Sequence, residues 1–463
     1  MHTMLQEVLA TIAQREHQSV DLLKQFLSIP SVSTDPARKD DVRRCAHWLA
    51  DQLKFAMLDV SVMETGGHPC VVAKNKHVAG RPTILLYGHY DVQPPEPLAL
   101  WTTPAFEPTI RKNAAGFDAI YARGAVDDKG QVWAHVEALM AWQAHGGPGV
   151  NVTMLIEGEE EIGSPNLGAF IARHRDQLKA DICVISDTNQ FARNYPAITT
   201  GLRGLVYQEI TLTGPSRDLH SGLYGGAVAN PGNVLARLIA SLHNEHGRVT
   251  VPGFYDDVIE LDAAQRDAWR KLPFDETEYL HDLDVTRASG GEAGYSILER
   301  CWARPTCDVN GITYGYQGAG AKTVIGSTAS AKVSFRLVAN QNAERIRDSF
   351  QQMMRNAVPE GIRVAFIDHG IAPAYQIPLD HPAIDAARRA IEIGFGKPAT
   401  LVGSGGSIPI AAAIHHELGI ECLFIGFGLP DDCVHSPNEK FDLACLSAGT
   451  RTAAALYAEV AST

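Results

Sequence analysis

The sequence predicts an α/β protein with a mainly parallel central sheet flanked by helices, interrupted by a smaller α+β insert. Three observations predict it. Short apolar runs alternate with helical stretches up to residue 200, as strands joined by crossover helices do. Acidic and histidine-bearing segments follow those runs directly, at the carboxyl ends where parallel sheets bind ligands. After Gly201 the texture changes to alternating strands and amphipathic helices, and the first texture resumes from His381. The boundaries are therefore set at 1–200 and 379–463 for a main domain in two parts and at 201–378 for the insert.

The elements follow in chain order. From Leu5 to about Ile29, Val8, Ile12, Leu22, Leu23 and Phe26 carry helical spacing, and Pro30 ends the helix. Thr83–Tyr87 and Val152–Ile156 are short buried strands. Between them, Val132, Val136, Leu139 and Met140 mark a helix that starts just after Asp128. Ile182–Ile185 is a further strand. In the insert, Val206–Leu212 and Ala331–Val338 alternate as half-exposed strands. Asn230-Pro231 caps a helix bearing Leu235, Leu238, Ile239 and Leu242. Ile346, Phe350, Met353 and Met354 give another helix, and the polar stretch from Tyr255 to about Glu299 reads as a helical excursion with loops.

Composition bounds the partners. A formal charge of −13 leaves no basic stripe for nucleic acid. No run approaches the apolar length of a membrane helix. Glu7, Arg15 and Glu16 stand where a signal peptide needs apolar residues, so the expected compartment is the cytoplasm. Eight cysteines without a CxxC pair fit reduced thiols better than a disulfide framework. Asn151-Val152-Thr153 matches a glycosylation sequon but opens a buried strand, and it reads as chance.

Five segments carry the chemistry: Gly88-His89-Tyr90-Asp91, Gly124 to Gly130, Glu157 to Glu161, Ile185-Ser186-Asp187 and Val434-His435-Ser436. Imidazole and carboxylate hold divalent metals, and clustered carboxylates repel one another without a cation. Singly, each has an ordinary reading: Asp127 and Asp128 as helix caps, Glu159 to Glu161 as a surface run, Asp187 as a turn residue. Together, in one order at strand ends, they predict a site for two metal ions in a hydrolase. In His89-Tyr90-Asp91, an extended backbone puts Asp91 on the same side as His89, where it can orient the imidazole. There is no HExxH, no phosphate loop and no centred GxSxG, because Gly403 to Ser407 reads Gly-Ser-Gly-Gly-Ser.

At these residues the chain resembles the dinuclear zinc exopeptidases and deacylases, the family of carnosine dipeptidases, carboxypeptidase G and succinyl-diaminopimelate desuccinylase. It is most similar to the carnosine dipeptidase branch. The segments that carry the resemblance are 88–94, 123–130, 218–222, 320–325 and 405–409. The resemblance implies that Asp127 bridges two zinc ions, with His89 and Asp187 on one and Glu161 and His435 on the other. It implies Glu160 as general base, acting on a water activated between the two metal ions, and Asp91 as the partner of His89. The insert would be a lid and homodimer interface that brings His220 to the neighbouring subunit's site, with Thr323 beside it. Arg336 and Ser407, joined by His369, would receive the substrate's terminal carboxylate. One departure stands out: Gly403-Ser404 replaces the Arg-Glu usual before this Gly-Gly-Ser in that branch, which removes a charge pair near the substrate.

The expected function is metal-dependent hydrolysis of dipeptides or short peptides with a free C-terminus, using two Zn2+ or, alternatively, Mn2+ or Co2+. The rivals are an N-acyl amino acid deacylase with the same machinery and a non-catalytic binding protein on the same fold.

Overall fold

A strand that ends in a ligand-bearing loop must be held in register, and the main sheet supplies that register. The computed structural model describes residues 2–56, 59–406 and 408–462. At the sheet's centre four strands run parallel: Asn151–Glu157, Thr83–His89, Ile182–Ile185 and Glu421–Ile425, in that spatial order. The two long members are almost wholly buried, as sequence runs without alternation require. On one side Cys70–Lys74 and Asp59–Met63 extend the sheet antiparallel. On the other, Ala197–Leu202 joins antiparallel to Glu421–Ile425. The sheet is thus mixed, with four parallel strands at its centre. The edge strands escape a reading for crossover units because no helix separates Asp59–Met63 from Cys70–Lys74.

Helices His2–Leu27, Lys129–Gln143, Pro382–Phe395 and Leu443–Val460 pack on one another, and Lys39–Phe55 packs on the antiparallel edge. The helix Lys129–Gln143 is buried nearly all round rather than on one face. Its two tryptophans satisfy their indole N–H groups inside the core. Trp133 donates to the Ser19 carbonyl at 3.0 Å and Trp142 to the Ala454 carbonyl at 2.9 Å. Asn151 is buried and donates its amide to the Val78 and Arg81 carbonyls, so it is part of the fold and not a glycan acceptor.

The chain divides into two compact units: 1–200, 377–402 and 413–463 form one, and 201–376 with 403–412 form the other. The short segment 403–412, read from sequence as part of the main domain, therefore clusters with the insert. The stretch 201–376 begins and ends at neighbouring positions. Gly201 and Leu202 pair antiparallel with Gln376 and Tyr375, and the Ile377 N–H donates to the Thr200 carbonyl at 3.0 Å.

Within the insert, four antiparallel strands lie in the order Thr306–Tyr314, Thr328–Leu337, Gly204–Thr213, Arg363–Ala372. Gly204–Thr213 alternates buried and half-buried residues without a break, the mark of a sheet with one covered face. Helices Pro231–Ala240 and Ala343–Ala357 pack on this sheet around Val206, Ile210, Leu212, Phe335 and Phe350. Asn230 caps the first, accepting from the Gly232 and Asn233 N–H groups. The polar excursion forms helices Ala263–Arg270, Glu276–Asp282 and Ile297–Trp302.

One buried group gives the main unit a pH dependence. His135 lies between the Tyr457 hydroxyl at 2.9 Å and the Ser186 hydroxyl at 2.8 Å. Burial pushes its pKa down to about 4. The unfolded chain therefore takes a proton that the folded chain refuses, and stability contributed by neutral His135 is lost as pH falls from about 6.5 towards about 4. Urea unfolding of wild type and His135→Gln, each at about pH 7 and about pH 4.5, should show a wild-type loss greater by about 2–3 kcal/mol. Equal losses in the two proteins would refute this account.

Candidate metal centre

The parallel strands deliver their loops to one end, and the site forms there. His89 is the last residue of its strand and sits beside Glu157 of the neighbouring strand. The helix that starts at Lys129 comes close behind the strand at Gly88, where a Cβ would lie 2.6 Å from both Asp128 Oδ2 and Val132 Cγ2. Asp128 begins the helix Lys129–Gln143 without capping it through its side chain. Its Oδ2 accepts the His89 N–H at 3.2 Å instead.

Asp127, on the same turn, is the centre of the arrangement. Its Oδ1 lies 3.1 Å from His89 Nε2 and its Oδ2 lies 3.0 Å from His435 Nε2. Asp187, two residues past the strand Ile182–Ile185, places Oδ2 3.8 Å from His89 Nε2. Glu161 places Oε2 3.3 Å from His435 Nε2. Two groups result, His89–Asp127–Asp187 and Asp127–Glu161–His435, each with ligand atoms within 4.8 Å of one another and sharing Asp127.

These residues fit a pair of divalent ions on three counts. The donors are imidazole nitrogen and carboxylate oxygen. His89 Nε2 is buried and makes no hydrogen bond, although its other nitrogen, Nδ1, faces the Asp91 carbonyl at 3.1 Å. The carboxylates are also electrostatically frustrated. Burial, with the charges of Asp187, Glu161 and Asp127, pushes Glu160 up to about 8. Burial and Asp127 push Asp187 up to about 7. Hydrogen bonds to Asp127 and Glu161 push His435 up to about 10. Burial opposes ionisation of Asp127, but His435 and His89 outweigh it and hold that carboxyl far below the usual range. A cation between the carboxylates would reverse the upward shifts.

Asp91 organises the opposite wall. Its Oδ1 and Oδ2 accept the N–H groups of Glu160 and Glu161 at 3.2 and 3.1 Å, and Oδ1 is 3.4 Å from His89 Nδ1. One buried carboxylate thus orients the imidazole and also fixes the backbone that carries Glu160 and Glu161. The acidic run sorts itself by partners. Glu159 turns away to accept from the His68 N–H and the Asn166 amide. Glu157 accepts from the hydroxyls of Tyr87 and Ser164.

The sequence reading missed two participants. Gln93 donates to Glu161 Oε2 at 2.7 Å. Glu439, fully buried, accepts from the backbone of the Asp127 turn. The adjoining Gly88-His89-Tyr90-Asp91 segment pointed towards Gln93, but nothing in the spacing of Glu439 singled it out.

The remaining site residues lie in the insert. His220 is exposed, and its Nδ1 accepts the Gly222 N–H at 3.0 Å, which leaves Nε2 as the protonated nitrogen of a neutral ring. It pairs with Val324, and the Ser221 N–H donates to the Thr323 carbonyl at 3.1 Å, so the structure brings His220 and Thr323 together. Arg336 is half-buried in the strand Thr328–Leu337, opposite Thr306 and Leu205. His369 instead pairs with Glu209, Nε2 to Oε2 at 2.9 Å, and leans on Tyr207. Ser407 lies outside the described residues.

Comparison with known proteins places this geometry in a lineage. Residues 85–459 match the pattern of Peptidase family M20/M25/M40. A Cys-Gly metallodipeptidase of Candida albicans is 30% identical, over 97% of this chain and 96% of its own length. The crystal structure of human carnosine dipeptidase 1 superimposes with a TM-score of 0.79 at 28% identity, covering 99% of both chains. An M20 family metallo-carboxypeptidase from Sulfolobus solfataricus gives 0.83 at 31% identity, over 96% of this chain and 99% of that one.

Proposed function

The chain belongs to peptidase family M20/M25/M40 and is a metallopeptidase; from that premise we propose that it hydrolyses dipeptides or short peptides with a free C-terminal carboxylate. The observation that carries this reading is the Asp127 carboxylate, with one oxygen 3.1 Å from His89 Nε2 and the other 3.0 Å from His435 Nε2. A carboxylate so placed suits a bridge between two ions. His89 and Asp187 would complete one shell, and Glu161 and His435 the other. Nitrogen and carboxylate donors suit Zn2+, with Mn2+ and Co2+ compatible.

Divalent ions held there would supply positive charge that acidifies a water and polarises a carbonyl. Glu160 would take the proton as the water oxygen bonds to the scissile carbon, then return it to the amide nitrogen as the C–N bond breaks. Asp91 would act through His89, holding its ring. The Nε2–H of His220 would donate to the oxyanion. Arg336 would clamp the terminal carboxylate in bidentate fashion, with Ser407 and His369 at the same end of the substrate and Thr323 beside His220. The proposal extends to a homodimer through the insert, in which His220 serves the partner subunit. A reducing cytoplasmic setting fits the cysteines, all of which are unbridged. Among the described residues, no helix is long and apolar enough to cross a membrane.

Glu160→Ala is expected to keep its metal while turnover falls about 100- to 10,000-fold. Normal turnover in this variant would remove Glu160 from the reaction. Profiling the purified enzyme on dipeptides, C-amidated dipeptides and N-acetyl or N-succinyl amino acids tests the substrate class. Dipeptides with a free carboxylate should be preferred. Faster cleavage of N-acyl amino acids would make the protein a deacylase, and hydrolysis of no amide would make it a binding protein. Mixing Glu160→Ala with His220→Ala subunits tests the shared site: exchange should restore about a quarter of wild-type activity, since half the dimers then carry one intact site. No recovery after demonstrated exchange would place His220 outside the partner's site.

A further inference from the structure

Glu439 is buried completely, and its carboxylate is taken up by one short stretch of chain. Oε1 accepts the N–H groups of Val126 and Asp127 at 3.0 and 3.1 Å. Oε2 accepts the Gly124 N–H at 3.0 Å and Arg123 Nη1 at 2.7 Å. The Glu439 carbonyl adds a further bond, from the Ala122 N–H at 3.1 Å. Three backbone donors on a single carboxylate leave the turn Gly124–Asp127 one conformation, the one that aims Asp127 at both imidazoles.

Glu439 is also four residues from His435, at the base of the same loop. Lys440 closes that loop: its N–H donates to the Asp432 carbonyl at 3.0 Å and its ammonium pairs with the Asp432 carboxylate. Asn438 fixes the loop's flank, donating to the Leu100 carbonyl at 2.7 Å and accepting the Thr102 N–H at 2.8 Å. At the tip, His435 takes a φ of 61°, a left-handed conformation uncommon outside glycine. Two segments more than 300 residues apart in sequence thus meet through one carboxylate, and each contributes a ligand to the Asp127–Glu161–His435 group.

We propose that Glu439 is a positioning residue that sets the geometry of the Asp127–Glu161–His435 metal position without touching the ion, an inference that rests on the metal reading above. A carboxylate is required because only two acceptor oxygens can serve three N–H groups and a guanidinium together. A glutamine would turn an NH2 group towards donors that need an acceptor. An aspartate would keep the charge but fall short of the turn.

The test uses the full chain and Mn2+ as probe, with binding and electron paramagnetic resonance as readouts. Wild type should bind two ions per chain and give the signal of an exchange-coupled pair. Glu439→Gln should bind the first ion with affinity within about threefold of wild type, bind the second about 10- to 100-fold more weakly, and lose the coupled signal at matched loading. Should Glu439→Gln fail to fold, Glu439→Asp, which retains the charge facing Arg123, decides the same point. A folded variant that keeps both affinities and the coupled signal overturns the proposal. So does a folded variant that loses both ions equally, because the effect would then not be confined to one position. Wild-type protein that binds no Mn2+ would overturn the metal reading itself, before any variant is compared.

Discussion

Repulsion among buried carboxylates is the constraint on which the rest of the site depends. Asp91, Asp127, Glu160, Glu161 and Asp187 converge at the mouths of the parallel strands, and only two imidazoles stand among them. In a medium of low polarity such crowding is costly unless each charge finds a partner. The structure divides the carboxylates by how they do so. Asp91 and Glu439 are satisfied by backbone N–H groups, Glu157 by hydroxyls and Glu159 by an amide and an N–H. Asp127, Asp187 and Glu161, which lie near the Nε2 atoms of His89 and His435, are the ones grouped so that they could hold a cation. Acids with protein partners thus surround the candidate ligands.

Much of this was legible in the sequence, for a physical reason. Strands buried on both faces are apolar over most of their length, so Thr83–Tyr87 and Val152–Ile156 stood out and placed His89, Glu160 and Glu161 at strand ends. The antiparallel edge was less visible, because Cys70–Lys74 has neither a crossover helix nor clean alternation to announce it. Within Glu159-Glu160-Glu161, composition alone gives three equal carboxylates. Only the 3-10 turn at Glu160–Ile162 sends Glu159 to Asn166 and Glu161 to His435. Glu439 was illegible because its role lies in backbone donors hundreds of residues away, which no local spacing encodes. His369, a histidine near a loose motif, pairs with Glu209 across adjacent strands, a contact that no spacing in the sequence announced.

The helix that follows the site is held from behind as well. Lys129, fully buried, donates to the Phe26 and Ile29 carbonyls at 3.1 and 2.7 Å, tying the end of the first helix to the residue next to Asp128. Both carbonyls also accept a backbone N–H, from Ile29 and Ser31 respectively, so the ammonium adds a second donor to each. Ser31 donates to the Tyr90 carbonyl at 2.6 Å, adding a second tie between that N-terminal segment and the His89 loop. The N-terminal segment, which carries none of the candidate ligands, thus supports the Asp127–Asp128 turn and the His89 loop.

The place where the insert departs has a consequence of another kind. Because Thr200 and Ile377 are hydrogen-bonded neighbours, the excursion between them is, for the main sheet, a closed loop of arbitrary length. Closing such a loop costs an entropy that grows only logarithmically, about 0.6 kcal/mol for each doubling. Whole helices can therefore be added to or trimmed from the excursion without the strands registering the difference. A slip of one residue in Thr83–His89 has no such tolerance, since it would turn every side chain to the opposite face and carry His89 away from Asp127. Length is cheap in one part of this chain and fixed in the other, and the boundary between the two regimes is the short antiparallel pairing of Gly201 and Leu202 with Gln376 and Tyr375.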